Sequence, residues 1–163
     1  MTLAAFDLGT QTGVAFGAPG CVISDTWSFK PQRHEGGGMR FLRFRRKLEE
    51  MHAAAPISEV GYEEVRRHIG TDAAHIYGGL LAQLTAFCEE HGVPYAGHPV
   101  GTIKKWATGK GNADKAAMIA AVRSWGHRPK DDNEADALAL FYMLAQDRGL
   151  AAPREPGLAR MLA

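Results

Sequence analysis

Three groups of acids stand where apolar segments end. Asp7 closes the run Leu3, Ala4, Ala5, Phe6 and is followed by Gly9, Thr10 and Gly13; Glu63 and Glu64 fall near the end of EVGYEEV; Asp132 and Asp136 lie in DDNEADALAL. A carboxylate at the end of a buried strand is costly unless something positive meets it, and a metal ion is the natural counter-charge. Glycines directly after Asp7 let the chain turn sharply and leave room for a phosphate to approach the backbone. If the first and fourth strands are neighbours, two of these carboxylates lie side by side, and the last helix can supply the rest across the sheet. Like charges that close repel and need cations. Oxygen-only ligation with open positions suits Mg²⁺ or Mn²⁺. Two such ions about 3.5–4 Å apart can activate a water and stabilise the leaving oxygen of a phosphodiester displacement, so the pattern predicts a nuclease.

Helical spacing sharpens the last group. Asp132 and Asp136 are four residues apart and Asn133 and Asp136 three, so all three can share a helix face while Glu134 points elsewhere. Asp131 and Glu134 fit a capping-box-like start, where acids also complement the helix dipole. That structural explanation does not reach Asp136, which sits inside an otherwise apolar helix and reads as a ligand.

The elements that must position these acids follow from periodicity and turn residues. After Asp7, strand-like runs at Thr12 to Phe16 and Cys21 to Phe29 flank the turn cluster Gly17 to Gly20, which predicts a three-stranded antiparallel meander. Lys30 to Gly38, with Pro31 and three consecutive glycines, reads as a loop. From Met39 the stripe Phe41, Phe44, Leu48, Met51 and Ala55 predicts a helix stopped by Pro56, with Arg40, Arg43 and Lys47 on another face. Glu59 to Val65 reads as a fourth strand. Thr71 is the expected N-cap of a second helix ending at Gly92, and Val93 to Val100 reads as a fifth strand. A short helix at Thr102 to Trp106 and a tight Gly109-Lys110-Gly111 loop follow. Asn112 is the expected cap of a helix running to about Trp125 with Gly126 as its stop, and Asp131 to Gln146 is apolar all round after its first turn, so it must be buried. Residues 1–148 are expected to form one domain and 149–163 a loosely attached tail.

Composition narrows the class. With 163 residues, 45% of them hydrophobic, the chain can bury a proper core. Two cysteines are too few for a disulfide framework and point to a reducing compartment. Cys88 with His91 is half a zinc site without a partner pair. There is no basic n-region followed by an apolar core and no run of membrane-spanning length, so a cytoplasmic protein without membrane contact is expected. The net charge of +1 neither demands nor excludes nucleic acid, because Arg40, Arg43, Arg45, Arg46 and Lys47 cluster in one place and acids in another.

FDLGTQTG, GYEEV, GKGNADK and NEADALAL, in that order and at those distances, resemble the RuvC family of Holliday-junction resolvases, and specifically its shorter phage-type members, within the RNase H-like superfamily. The resemblance spans roughly Thr2 to Gln146. It implies an α/β fold, a five-stranded mixed sheet with element order βββαβαβαα flanked by helices. It further implies a homodimer that nicks two strands symmetrically at a four-way junction with divalent metal, two Mg²⁺ (or Mn²⁺) per site. By that resemblance Asp7, Glu63 and Asp136 are metal-binding catalytic acids. The family often has a further acid three residues before the last, where this chain has Asn133, so Asp132 or Glu134 substitutes or the site uses fewer carboxylates. Lys115 falls where the family places a lysine near the scissile phosphate, and Lys104 matches a second basic position. Some members carry an aromatic residue where this chain has Arg66. Arg66 and Arg67 can contact phosphates or stack through the guanidinium plane, but junction opening by an aromatic wedge is absent at that position.

Arg40, Arg43 and Lys47, with Arg33 and His34 in the preceding loop, could hold duplex arms through the backbone in a salt-dependent way. The expected activity is therefore incision of branched DNA, leaving a 5′-phosphate and a 3′-hydroxyl. One alternative is a non-catalytic branched-DNA-binding module of the same fold, favoured by Asn133. Another is an ATP-binding fragment of the sugar-kinase and actin superfamily, which shares the D-x-G-T turn but clamps nucleotide between two domains.

Overall fold

The computed structural model of the chain describes residues 1–67 and 70–150. Strands β1 (Leu3–Asp7), β2 (Gln11–Ala18) and β3 (Cys21–Ser28) form the meander; α1 (Met39–Ala54), β4 (Glu59–Glu64), α2 (Thr71–His91) and β5 (Tyr95–Pro99) follow. The chain closes with α3 (Val100–Thr108), α4 (Lys115–Ser124) and α5 (Asp132–Asp147). The sheet order is β3-β2-β1-β4-β5, with β1 antiparallel to β2 and parallel to β4. The mixed five-stranded sheet is the expected one. Three helices follow β5, as the residue pattern predicts and one more than the element order the resemblance implies, so the order is βββαβαβααα.

Alternation along β1 divides the core. Leu3 and Ala5 face a cluster built on α5, with Ile103 of α3 and Met118 and Val122 of α4. Ala4 and Phe6 face the other side, where Phe44 and Leu48 of α1 meet Leu80, Leu84 and Phe87 of α2. A side-chain period of two thus assigns Asp7 to the α5 face. Helix α5 is buried from Glu134 through Ala145 except at Asp136, as an all-round apolar helix must be.

Several boundaries differ from expectation for identifiable reasons. Gly17 and Ala18 pair with Val22 and Cys21, so β2 extends through them and the hairpin turn is only Pro19-Gly20. Gly70, not Thr71, is the N-cap of α2. Val93 donates its N–H to the Cys88 carbonyl, closing the end of α2 at Gly92 (φ 64°), and β5 therefore starts later, at Tyr95. Val100 already belongs to α3. The expected cap Asn112 is displaced by Asp114, whose carboxylate accepts the Ala117 N–H at 2.8 Å. Val65 leaves β4 because its N–H bonds the Tyr77 hydroxyl. Apart from Gly149 and Leu150, the expected tail at 149–163 lies outside the described residues.

Candidate active site

Asp7 ends β1, and the parallel register Phe6↔Tyr62 puts Glu63 of β4 beside it. Val60 and Tyr62 pack on the α1/α2 side, so Glu63 turns with Asp7 toward α5. Asp136 reaches the same region from α5. The three carboxylates share one field. Burial, then Glu63, Asp136, Asp132 and Asp131 in turn, raise Asp7 well above the usual carboxylate range. Glu63, 9% exposed, is pushed up to about 7 by burial and Asp136, against the opposing pull of Lys104. Burial raises Asp136 to about 6, with Lys104 and Lys115 lowering it and Asp132 raising it. Two lysines therefore do not balance the site. Asp136 Oδ1 is in addition buried with no hydrogen-bond partner. An oxygen-only donor set, an orphaned acceptor and uncompensated negative charge fit divalent cations.

The set is open rather than a single-ion cage. Among the described residues, only Glu49, Glu90 and His91 bring three such ligand atoms all within 4.8 Å of one another. Those three lie where α1 meets α2, and Arg45 bonds both glutamates, so an ion-pair network explains them. Two ions about 3.5–4 Å apart need carboxylates spread over a wider space than one ion does. Cys88 takes no part, being buried with its thiol pushed up to about 12.

How α5 is seated decides where Asp136 points. A Cβ on Gly13 would overlap the main-chain carbonyl of Asn133, so this motif glycine lets the first turn of α5 rest against β2. Asp131 caps the helix by accepting the Glu134 N–H at 2.9 Å. The Glu134 carboxylate turns to β3 and bonds Ser24, which removes it from the candidate ligands. Asp132 is engaged by Lys115, Nζ to Oδ2 2.6 Å.

The basic candidates divide. Lys104 and Lys115 act electrostatically on the acids. Arg66 is exposed and pairs with Glu64 at 3.2 Å, and Arg67 is exposed. The α1 stripe lies across the sheet from α5, and two of its three cations have partners: Arg43 is ion-paired with Glu35 of the loop, and the Lys47 ammonium sits 4.7 Å from the Trp27 ring centroid. Arg40 borders a surface hollow, with Phe41, Asp72 and His75. The sequence reading missed Ser24 and Thr26, whose hydroxyls bond Glu134 and Asp131. Two polar side chains of a strand carry no sign in the sequence of the helix they will meet.

Fold and site define an RNase H-like domain with a buried carboxylate centre. The chain is 38% identical over 79 residues to the crossover junction endodeoxyribonuclease RuvC of Rhodococcus jostii (strain RHA1), a match covering 47% of this chain and 39% of that protein's length. It is also similar to T. thermophilus RuvC in complex with Holliday junction substrate (TM-score 0.74, 24% identity, 94% of this chain and 99% of that one). Yeast mitochondrial Holliday junction resolvase Ydc2 is more distant (TM-score 0.56, 15% identity, 85% of this chain and 75% of that one). No protein-family model matches the sequence. The likeness to the solved structures shows that the chain has the fold of RuvC. Among the described residues no helix is long and apolar enough to cross a membrane.

Proposed function

We propose that the chain, through a single domain of residues 1–148, is a divalent-metal-dependent endonuclease of branched DNA. It resolves four-way junctions as a homodimer in the cytoplasm, by paired symmetric nicks leaving 5′-phosphate and 3′-hydroxyl ends. The observation that carries this reading is the group Asp7, Glu63 and Asp136 on one face of a RuvC-type sheet, negative beyond what its lysines balance and holding a buried, unpartnered oxygen. T. thermophilus RuvC, which the chain resembles over 94% of its length, is bound to a Holliday junction.

In this reading Asp7, Glu63 and Asp136 would hold two Mg²⁺ (or Mn²⁺), with Asp132, bonded to Lys115 in the metal-free protein, as the fourth acid beside them. Such ions would supply an activated water for in-line attack and charge neutralisation at the phosphate. Lys115, at the start of α4 and 80% exposed at its side chain, swings from Asp132 to the phosphate and neutralises charge developing there. Lys104 steadies the same phosphate from α3. Arg66 and Arg67 contact backbone beyond the cut, and Arg40 with Arg43 and Lys47 adds sequence-independent contacts that fade with salt.

Asp7→Asn tests the reading on a synthetic four-way junction with Mg²⁺. The parent is expected to make paired symmetric nicks and the variant to bind without nicking; equal cutting by both overturns the proposal. A second reading, a non-catalytic junction-binding module, is favoured by the neutral Asn133 where the family often has an acid. Calorimetric titration with Mg²⁺ or Mn²⁺ separates the two, since such a module binds neither tightly.

A further inference from the structure

We propose that Glu134 is a positioning residue that sets the rotation of α5, and so the aim of Asp132 and Asp136, through a clamp onto β3; this rests on the metal-dependent nuclease reading above. Glu134 is 7% exposed, and its carboxylate accepts from Ser24 Oγ at 2.7 Å and from the Lys130 N–H at 2.9 Å. Its own N–H donates to Asp131 Oδ1, and that same oxygen accepts from Thr26 Oγ1 at 2.6 Å. The Lys130 ammonium pairs with Asp25 and donates to the Thr26 carbonyl at 3.0 Å. Three consecutive β3 residues thus grip the start of α5.

A buried carboxylate held by a hydroxyl and an amide is a costly way to fasten a helix that Asp131 already caps. The clamp has a geometric consequence that explains it. Glu134 lies two residues from both Asp132 and Asp136, roughly 200° round the helix from each, so gripping it fixes the direction of the opposite face. On a helix about 10–12 Å across, a rotation of roughly 20° would carry a carboxylate about 2 Å sideways. Metal–oxygen distances tolerate only about 0.2 Å. Burial of the apolar residues around α5 resists its removal from the sheet, but hydrophobic contact is non-directional and sets rotation less sharply than hydrogen bonds do.

The test measures Mn²⁺ affinity by calorimetry, together with kcat and KM on a four-way junction, for the parent, Glu134→Ala, Glu134→Gln and Asp136→Asn. Glu134→Ala is expected to weaken Mn²⁺ binding by about 10–100-fold and to lower kcat with KM for the junction held. Glutamine can keep both bonds, its carbonyl accepting from Lys130 N–H and its amide donating to Ser24 Oγ, so Glu134→Gln is expected to stay within about threefold of the parent. Unchanged Mn²⁺ affinity in Glu134→Ala, or a loss in Glu134→Gln as large as in Glu134→Ala, overturns the proposal. If Glu134→Ala does not fold, Ser24→Ala removes one bond with the carboxylate in place; a several-fold weaker affinity supports the clamp, and the parent's value sinks it. Should Asp136→Asn bind Mn²⁺ as the parent does, the nuclease reading fails and the clamp falls with it. Loss in Asp136→Asn with retention in Glu134→Ala refutes the clamp alone.

Discussion

Replacing Glu63 by glutamine should stabilise the metal-free protein at alkaline pH and destabilise it, relative to the parent, once metal is present. Glu63 is pushed from an ordinary 4.5 to about 7 by burial and by Asp136. A carboxyl whose pKa is higher folded than unfolded costs nothing while protonated in both states, below about pH 4.5. The cost grows as pH rises through that value and is complete above about pH 7. Over that interval of roughly 2.5 pH units, at about 1.36 kcal/mol each, it reaches roughly 3 kcal/mol. For a domain of this size that corresponds to a melting difference of about 6–12 °C. Glutamine keeps the shape and carries no charge. Thermal melts of parent and Glu63→Gln at pH 5 and pH 8, in chelator and in millimolar Mg²⁺, read the effect. The variant should melt higher than the parent at pH 8 in chelator and nearly level with it at pH 5. In Mg²⁺ only the parent should gain, because a ligand that binds the folded state alone stabilises it by mass action. A parent that melts above the variant at pH 8 in chelator would falsify the claim that ionising Glu63, buried and beside Asp136, costs stability.

Gly13→Ala should cost about 1–3 kcal/mol by overpacking and weaken metal binding as well, since its Cβ meets the Asn133 carbonyl and lifts the start of α5; denaturant melts and metal titration check both. Lys115→Ala should lower kcat about 10²-fold through lost phosphate stabilisation while leaving metal affinity equal or tighter, because Asp132 is freed. Weaker metal binding in that variant would assign Lys115 a different role. Leu138→Ala, fully buried beneath the sheet, should destabilise the domain by about 2–5 kcal/mol, read by urea unfolding at constant slope.

Much of this was legible in the residues because local chemistry and tertiary position agree. The Leu3-to-Phe6 run, the turn residues within Gly17 to Gly20 and the all-round apolar α5 each admit few arrangements, and together they dictate the meander and the buried helix. Asp7 and Asp136 stood out because an acid in an apolar context has no local purpose. Glu64 could not be separated from Glu63 by composition; strand alternation does it, turning Glu63 toward α5 and leaving Glu64 to Arg66. The caps were misplaced where two eligible residues lay close, Asn112 and Asp114, and only the main-chain turn between them chooses. The partners of the basic stripe on α1 were illegible for another reason. Helical spacing gathered Arg40, Arg43 and Lys47, but Glu35 and Trp27, which engage two of them, come from separate parts of the chain.

The energetics also account for why the acids are borne by these particular elements. Holding Glu63 ionised costs roughly 3 kcal/mol, and Asp7 and Asp136 add to it. Leu138, Leu140, Phe141 and Leu144, on the same helix as Asp136, each contribute about 1.5–3 kcal/mol by burial. Two of those residues offset the Glu63 penalty, so the helix that brings Asp136 to the site also supplies the stability that lets charges gather there. A carboxylate on a surface loop would cost less, yet the loop could drift away from its neighbours. On a buried helix whose start is bonded to β3, the acid can neither leave nor turn, and repulsion that would otherwise scatter the group remains available for a cation to relieve.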